Sequence, residues 1–198
     1  MAPLAAYASL APTRKVVVSG EPAGGLMTYI TARAVCEGKP VRVVCGDNRF
    51  DPYAVVRFAK SKGVRPKTAL NSILIARAFT AYQLHELVSR LDQTACSGPV
   101  VITGPCSTFF DEDVSVVEAA RLFYRMLWRL VELARDGMTL VLAQRELPKV
   151  ERRAYFLRDL CYAADVVLNC DGVHTFRLEQ RGRIALPRLA ALDRQIGD

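Results

Sequence analysis

The sequence predicts an α/β protein built on a doubly wound, mostly parallel sheet with antiparallel hairpins at the C-terminal edge. Two observations carry this prediction. Short β-branched or wholly apolar runs alternate with segments of helical periodicity over most of the 198 residues, which is the pattern of successive βα units. Near the C-terminus, short β-like runs are separated by the turn dipeptides Asp171-Gly172 and Arg181-Gly182, which favour hairpins.

The first five strands follow from apolar runs, and the helices between them from periodicity and boundary residues. Strands are expected at 15–19, 41–45, 72–77, 99–103 and 138–143, and helices at 25–37, 52–61, 80–93 and 114–135. Asp51-Pro52 begins the second helix as N-cap and first-turn proline, and Thr80 caps the third helix. Apolar residues at helical spacing, with arginines between them, predict the longest helix.

The remaining elements predict how the chain ends. A helix is expected at 154–163, followed by three short strands at 165–170, 174–180 and 183–186. We therefore expect two parts, an N-terminal arm of residues 1–14 and a single core domain of residues 15–198, which is long enough to bury a sizeable core.

Composition narrows the class of protein. Hydrophobic residues make up 51% and charged residues 24%, which is typical of a soluble globular protein. The net charge of +7 is compatible with a nucleic acid partner but is also common in proteins that bind none. The six cysteines form no C-x-x-C pair and there are only two histidines, so we expect reduced cysteines, no metal site and a cytoplasmic location. No apolar run reaches the roughly 20 residues of a membrane helix, so no membrane partner is expected.

A glycine-containing turn follows the first predicted strand. Gly20 and Gly25 match the glycines of the P-loop pattern G-x-x-x-x-G-K-[ST], but the next two residues are Leu26 and Met27. In a P-loop the lysine reaches the phosphates and the hydroxyl binds Mg²⁺, which leucine and methionine cannot do. The candidate residues of a vestigial nucleotide-binding loop are Gly20, Glu21, Gly24 and Gly25. The alternative is a tight strand-to-helix turn that the fold itself requires.

Three further segments carry a resemblance to a known family. Residues 71–80, with Gln83 after them, resemble the N-x-x-x-A-R-A-F stretch of the RecA/RadA strand-exchange recombinases, which belong to the P-loop ATPase superfamily. Residues 49–52 resemble their T-F-R-P segment, and residues 100–105 occupy the place of their Walker B strand. The likeness covers about residues 15–170 and implies a RecA-like core.

The same resemblance locates the departures from the family. The Walker A lysine and threonine fall at Leu26 and Met27, and the Walker B aspartate falls at Gly104. The family's catalytic glutamate falls near Asp47, which is the candidate catalytic carboxylate. These losses predict that ATP is not hydrolysed in the family's way. We expect no cofactor, ATP with Mg²⁺ being the ligand that the family would imply.

Two loops correspond to the DNA-binding loops of the family. The first is short and acidic in this chain, at Asp111-Glu112-Asp113. The second spans residues 144–153 and contains four cations, which are suited to phosphate contacts that read no sequence. The candidate DNA-binding residues are Arg145, Lys149, Arg152 and Arg153.

The leading functional hypothesis is a non-hydrolysing RecA/RadA-like paralogue that assists recombinational DNA repair. It would act through another RecA-like protein or a second copy of itself, and through single-stranded DNA. A first alternative is an atypical ATPase whose site is completed by a partner subunit. A second is a Rossmann-type dinucleotide-binding oxidoreductase, because Gly20, Gly24 and Gly25 followed by Asp47 loosely imitate that fingerprint.

Overall fold

The computed structural model describes residues 14–92, 98–145, 151–170 and 176–180. The strands are β1 (Lys15–Ser19), β2 (Val41–Cys45), β3 (Ile73–Arg77), β4 (Val100–Thr103), β5 (Leu140–Gln144), β6 (Val166–Cys170) and β7 (Phe176–Gln180). The helices are α1 (Ala23–Cys36), α2 (Pro52–Ser61), α3 (Pro66–Asn71), α4 (Ala81–Ser89), α5 (Val116–Arg135) and α6 (Tyr155–Ala163). Short 3-10 turns lie at Ser107–Phe109 and Glu151–Arg153.

The strands form one sheet in the order β3-β2-β4-β5-β1-β6-β7. Strands β1 to β6 are parallel to one another, and β7 pairs antiparallel with β6. The predicted class of fold, a mostly parallel α/β sheet with an antiparallel pair at the C-terminal edge, is therefore confirmed. The further strand predicted at 183–186 and residues 1–13 of the predicted arm lie outside the described residues.

The helices cover the sheet on both faces. Successive strand residues point to opposite faces, so Val18 packs with α1, α2 and α3 while Val17 packs with α4, α5 and α6. This division follows from right-handed crossovers, because the chain moves one way along the sheet from β1 to β3 and the other way from β3 to β6. In the described part of the chain, no helix combines the length and the apolar content that crossing a membrane requires.

Most element boundaries agree with the sequence pattern to within about two residues. The largest difference is at the end of α4, which the sequence predicted near residue 93 and the structure places at Ser89. Helix α1 begins at Ala23, earlier than the Gly25 expected from the P-loop pattern. Helix α3, with six residues, was not expected, since it is too short to show periodicity; Pro66 in its first turn is its main local signal. Thr80 caps α4 as expected, its side-chain oxygen accepting from the backbone N–H of Gln83 at 3.2 Å.

A half-buried carboxylate, that of Asp165, ties the start of β1 to β6 at the amino ends of these strands. Asp165 Oδ2 accepts from the backbone N–H groups of Arg14 and Lys15, both at 2.9 Å. Its Oδ1 accepts from Lys15 Nζ at 3.0 Å. Burial disfavours the charged form of Asp165, but these hydrogen bonds and the lysine charge outweigh it, so the pKa of the carboxyl is lower than its ordinary value of 3.8. The contacts fix β1 beside β6.

Candidate functional site

The carboxyl ends of the central strands are where an open α/β sheet binds ligands. Between β1 and β5, and again between β2 and β4, the chain leaves neighbouring strands toward opposite faces of the sheet. Such switch points open a crevice beyond the strand ends. Polar residues stand at these ends, namely Ser19, Asp47, Thr103, Gln144 and Arg145. The crevice is therefore the candidate site. The residues that the sequence analysis matched to the P-loop pattern lie beside it.

The turn between β1 and α1 is shorter than a phosphate-binding loop. Gly20 has a φ of +102°, a conformation that favours glycine, and only Gly20–Pro22 separate the strand from the helix. The N–H of Ala23 donates to the carbonyl of Gly20 at 3.0 Å, and that of Leu26 donates to the carbonyl of Pro22 at 3.2 Å. These two amides are therefore engaged by the turn and helix themselves.

Arg145, just after β5, lies across the start of α1. A Cβ built on Gly24 would stand 2.9 Å from Arg145 Cδ, so the arginine stem lies directly against the helix backbone. A Nη of Arg145 forms an ion pair with Glu21 Oε1. A cation is unfavourable beside a helix N-terminus, and the carboxylate of Glu21 offsets this. The chain thus places its own side chain over the turn.

A groove opens beside this arginine, between α1 and α2. Its volume is about 390 Å³. One wall is the edge-to-face pair of Tyr29 and Phe58, with ring centroids 5.4 Å apart. Arg49 and Arg145 bring guanidinium groups to its lining, and Asp51 brings a carboxylate that also caps α2. The groove therefore combines an aromatic wall with charges of both signs.

The ends of β2 and β4 are packed against each other without space for an added side chain. Gly104 has a φ of +61°. A Cβ at this position would lie 2.6 Å from Asp47 Cβ and 2.7 Å from Asp47 N. A Cβ on Gly46 would stand 2.5 Å from the carbonyl oxygen of Gly104. Both glycines are required by this close approach of two backbones.

Asp47 is partly buried and engaged in hydrogen bonds with its neighbours. Its Oδ1 accepts from Thr103 Oγ1 at 2.7 Å and from the N–H of Arg49 at 3.2 Å. These bonds connect the end of β2 with the end of β4 and shape the loop that leads to α2. The geometry gives Asp47 a structural role; a catalytic role for it remains the sequence-based prediction.

Gln144 forms similar hydrogen bonds between the end of β5 and the loop after β4. Its Oε1 accepts from the N–H of Cys106 at 2.9 Å, and its Nε2 donates to Ser107 Oγ at 3.2 Å. The side chain is buried. The loop that contains Gly104 is therefore held by hydrogen bonds from both neighbouring strands.

The residues of the crevice do not fit Mg²⁺-ATP as the recombinase family binds it. Met27, at the position of the metal-binding hydroxyl, is fully buried in the core beneath α1. Gly104, at the position of the Walker B aspartate, cannot carry a Cβ without a shift of the Asp47 backbone. The turn at Gly20–Pro22 also starts the helix too early for the P-loop pattern.

Among the described residues, the predicted DNA-binding arginines differ in how far they are exposed and in what they bind. Arg145 is paired with Glu21, Arg152 is exposed, and Lys149 lies outside the described residues. Arg153 is only 1% exposed; its Nη atoms donate to the carbonyls of Phe109 and Val114, both at 2.6 Å. Contact of Arg153 with DNA would require it to leave these carbonyls, so we do not retain it in the DNA interface.

Sequence reasoning missed the residues that close the site. Thr103, Ser107 and Gly46 were not singled out, although they complete the hydrogen-bonded and packed ends of β2 and β4. The available signal was that strands predicted to be parallel end in polar residues. Because such ends meet at one edge of the sheet, those residues were candidates for mutual hydrogen bonds.

No protein-family model matches the chain, and no curated protein matches its sequence.

Proposed function

We propose that this chain is a non-hydrolysing relative of the RecA/RadA recombinases that assists recombinational DNA repair through contacts with another protein. The observation that supports the proposal is a scaffold without the catalytic groups: the sheet is doubly wound and a strand-to-helix turn follows β1, but the phosphate and metal positions hold Leu26, Met27 and Gly104. Phosphoryl transfer depends on cations and a metal placed at these positions, so the proposal assigns no hydrolysis to the chain.

The recombination part of the proposal rests on the resemblance of residues 71–80. In the structure these residues form β3 and the corner that leads into α4. The corner is held by reciprocal bonds: Thr80 Oγ1 accepts from the N–H of Gln83, and Gln83 Oε1 accepts from the N–H of Phe79 at 2.8 Å. The resembling residues thus build one rigid feature at the edge of the sheet, and no catalytic group lies among them.

The oxidoreductase alternative receives less support from the topology. In the dinucleotide-binding fold the strand order is 3-2-1-4-5-6, so that β1 lies between β2 and β4. Here β1 lies between β5 and β6. Arg145 also lies against the start of α1, where a pyrophosphate would approach the helix. We therefore do not carry this alternative further.

The alternative of a site completed by a partner is favoured by one observation, the groove beside Arg145. Arg49 and Arg145 line it from two different loops, and guanidinium groups suit phosphate oxygens. In this version a partner subunit would supply the remaining charges, and binding would appear only in the assembled complex. The test below includes this outcome.

The absence of hydrolysis is tested with the purified full chain, ATP and Mg²⁺. We expect no phosphate release above the rate without protein, and no Mg²⁺-dependent binding of a fluorescent ATP analogue. Asp47→Asn is the matched variant, since it keeps the size of the side chain and removes its charge. Turnover by the native chain that Asp47→Asn abolishes would refute the proposal, and turnover only with an added RecA-like partner would favour the completed-site alternative.

The role in recombination is tested in a strand-exchange reaction catalysed by a RecA-type recombinase from the same source. Addition of the chain is expected to change the yield of exchanged product without added ATPase activity. Binding of a poly-dT oligonucleotide is measured beside it over a range of salt concentrations, since phosphate contacts weaken steeply with salt. Arg152→Ala should weaken this binding, whereas Arg158→Ala, at another exposed arginine outside the predicted loop, is the control. An unchanged yield would remove the recombination part of the proposal.

A further inference from the structure

We propose that the outer face of α2 and α3 is a docking surface for an acidic segment of a partner protein, in which carboxylates flank an apolar or aromatic residue. The inference rests on the proposed function, because it names the surface and the class of partner through which the chain would act. It is carried by the charge of this face, by the exposure of its side chains and by the position of one tyrosine.

Positive charge is concentrated on α2, α3 and the turn between them. Residues 57–67 contain five cations and no Asp or Glu, whereas the net charge of the whole chain is +7. The nearest acidic residues along the chain are Asp51 before them and Glu86 after them. A local excess of this kind attracts and orients an acidic partner. The five cations are Arg57, Lys60, Lys62, Arg65 and Lys67.

The periodicity of α2 directs part of this charge outward. Val55 and Ala59, one turn apart, are fully buried in the core that α1, α2 and α3 form with the sheet. Tyr53, Arg57 and Lys60 recur at spacings of four and three residues on the opposite side of the helix, and all three are exposed. Helix α2 therefore presents to solvent a stripe about 10 Å long, at 1.5 Å per residue.

Most of these cations have no acidic partner among the described residues. The ion pair on this face joins Arg57 to Asp51 at 3.4 Å, while Lys60, Arg65 and Lys67 take part in none that the described residues form. Lys62 Nζ lies 5.8 Å from the ring centroid of Phe58, a contact that leaves its charge in place. One surface ion pair contributes little to binding, so the attraction depends on several of these cations acting together.

Tyr53 gives the face an aromatic centre. Its side chain is 74% exposed, the largest exposure of any aromatic residue that the structure describes. Asp51 caps the helix at this point, accepting from the N–H groups of Tyr53 and Ala54 at 2.8 and 3.2 Å. The backbone beneath the ring is therefore fixed, so a partner can bury the ring at little cost in ordering. Tyrosine and arginine, here Tyr53 and Arg57 one turn apart, are the residues that often dominate binding at protein interfaces.

The limits of the basic face favour a protein over a nucleic acid. Asp51 stands at the start of α2 and is partly exposed. A nucleic acid carries a phosphate at every nucleotide, so its backbone would meet this carboxylate where it continues past the helix. A protein segment can place its carboxylates only where the cations lie. Identical basic faces repel each other, which disfavours a symmetric pair of copies as the occupant.

The test is a selection of peptides from a random displayed library with the purified full chain as bait. We expect the selected peptides to carry net negative charge and an aromatic or large apolar residue. Their affinity is then measured by fluorescence anisotropy for the native chain and for variants. Lys60→Glu/Lys67→Glu reverses two exposed charges, so it should weaken binding about tenfold or more and reduce its salt dependence.

The matched control is Arg125→Glu/Arg135→Glu. It changes the net charge equally, at two exposed positions of α5 on the other face of the sheet. The affinity for the acidic peptides should then change less than about threefold. Circular dichroism verifies that each variant folds.

A second variant examines the aromatic centre without changing any charge. Tyr53→Ala should weaken the selected peptides about fivefold or more, because the ring is the contact for their apolar residue. Tyr82→Ala is its control, since Tyr82 is 51% exposed on α4, on the other face of the sheet. The affinity for the peptides should stay the same in that variant.

Several results would overturn the inference. They are no enrichment, enrichment of basic peptides, equal binding to the native chain and to Lys60→Glu/Lys67→Glu, or an equal loss in both double variants, which would reflect net charge alone. A concentration-dependent dimer that Lys60→Glu/Lys67→Glu dissociates would assign the face to a second copy. Poly-dT or anionic lipid vesicles that bind this face more tightly than the peptides would assign it to nucleic acid or to a membrane surface, and each of these assignments also overturns the inference.

The two proposals fail in different measurements. ATP turnover by the chain refutes the proposed function and does not change peptide selectivity. Loss of acidic selectivity refutes the docking surface and leaves the absence of hydrolysis and any effect on strand exchange as they are.

Discussion

The carboxyl ends of β2 and β4 and the outer edge of β3 belong to one sheet but differ in what covers their backbone. At the strand ends, Gly46 and Gly104 approach so closely that neither accepts a Cβ, and Asp47 bonds across the gap. At the edge, Leu74 and Phe79 are largely exposed, and within the described residues β3 pairs with no strand other than β2. The comparison teaches that backbone packing and hydrogen bonds close the ends of β2 and β4, whereas the side chains at the edge strand remain exposed.

The largest effect is expected from a substitution that adds a side chain where the ends of β2 and β4 are packed together. Gly104→Ala places a Cβ 2.6 Å from Asp47 Cβ in a left-handed conformation. We expect a loss of at least about 3 kcal/mol in the free energy of unfolding, from strain and displaced backbone. Urea denaturation measures it.

The matched control for this substitution is another glycine of the same crevice. Gly25 lies within α1, and a Cβ there would meet nothing within 4 Å. Gly25→Ala should therefore be neutral or stabilise by up to about 1 kcal/mol, as expected for alanine in a helix. Equal stability of Gly104→Ala and the native chain would show that the strand ends are not packed as described.

A second substitution examines whether the loop after β4 is part of the closed region. Arg153→Met removes a buried guanidinium that binds the carbonyls of Phe109 and Val114. One buried and one partly buried carbonyl then lose their partner, so we expect a loss of about 2–3 kcal/mol in the free energy of unfolding. Arg152→Met, at the exposed neighbour, should change it by less than about 0.5 kcal/mol.

The same two variants also distinguish a structural role from a DNA-binding role for Arg152 and Arg153. We expect Arg152→Met to weaken poly-dT binding without loss of stability, and Arg153→Met to lower the temperature of unfolding. If Arg153→Met left stability unchanged while DNA affinity fell, then Arg153 would be a surface contact and the described loop would be wrong.

The smallest expected effect is at the open edge. Leu74→Thr replaces a side chain that is 67% exposed with another strand former, so we expect a change of less than about 0.5 kcal/mol in the free energy of unfolding. Ile102→Thr makes a similar change at a fully buried position of β4 and should cost about 2–4 kcal/mol. A large loss from Leu74→Thr would show that Leu74 is covered within the folded chain and that the edge is not open as described.

The sequence predicted the fold well because its signals are local. Strands β1 and β2 and helix α2 agree with the predicted ranges, since β-branched runs, Asp51 as N-cap and Pro52 mark them within a few residues. The candidate site was located only in part. Leu26, Met27 and Gly104 were singled out as departures from the P-loop pattern, and the structure buries Met27 and packs Gly104 against Asp47. The sequence gives no measure of whether space remains at those positions.

The sequence by itself determined the type and order of the elements, because periodicity, caps and turn residues act between neighbours in the chain. The tertiary structure decided which polar residues became structural. Arg145 meets Glu21 across 124 residues, Thr103 meets Asp47 across 56, and Arg153 reaches Phe109 across 44. These contacts follow from the order of the strands in the sheet, which no local pattern specifies, and they close the crevice while β3 remains at the edge.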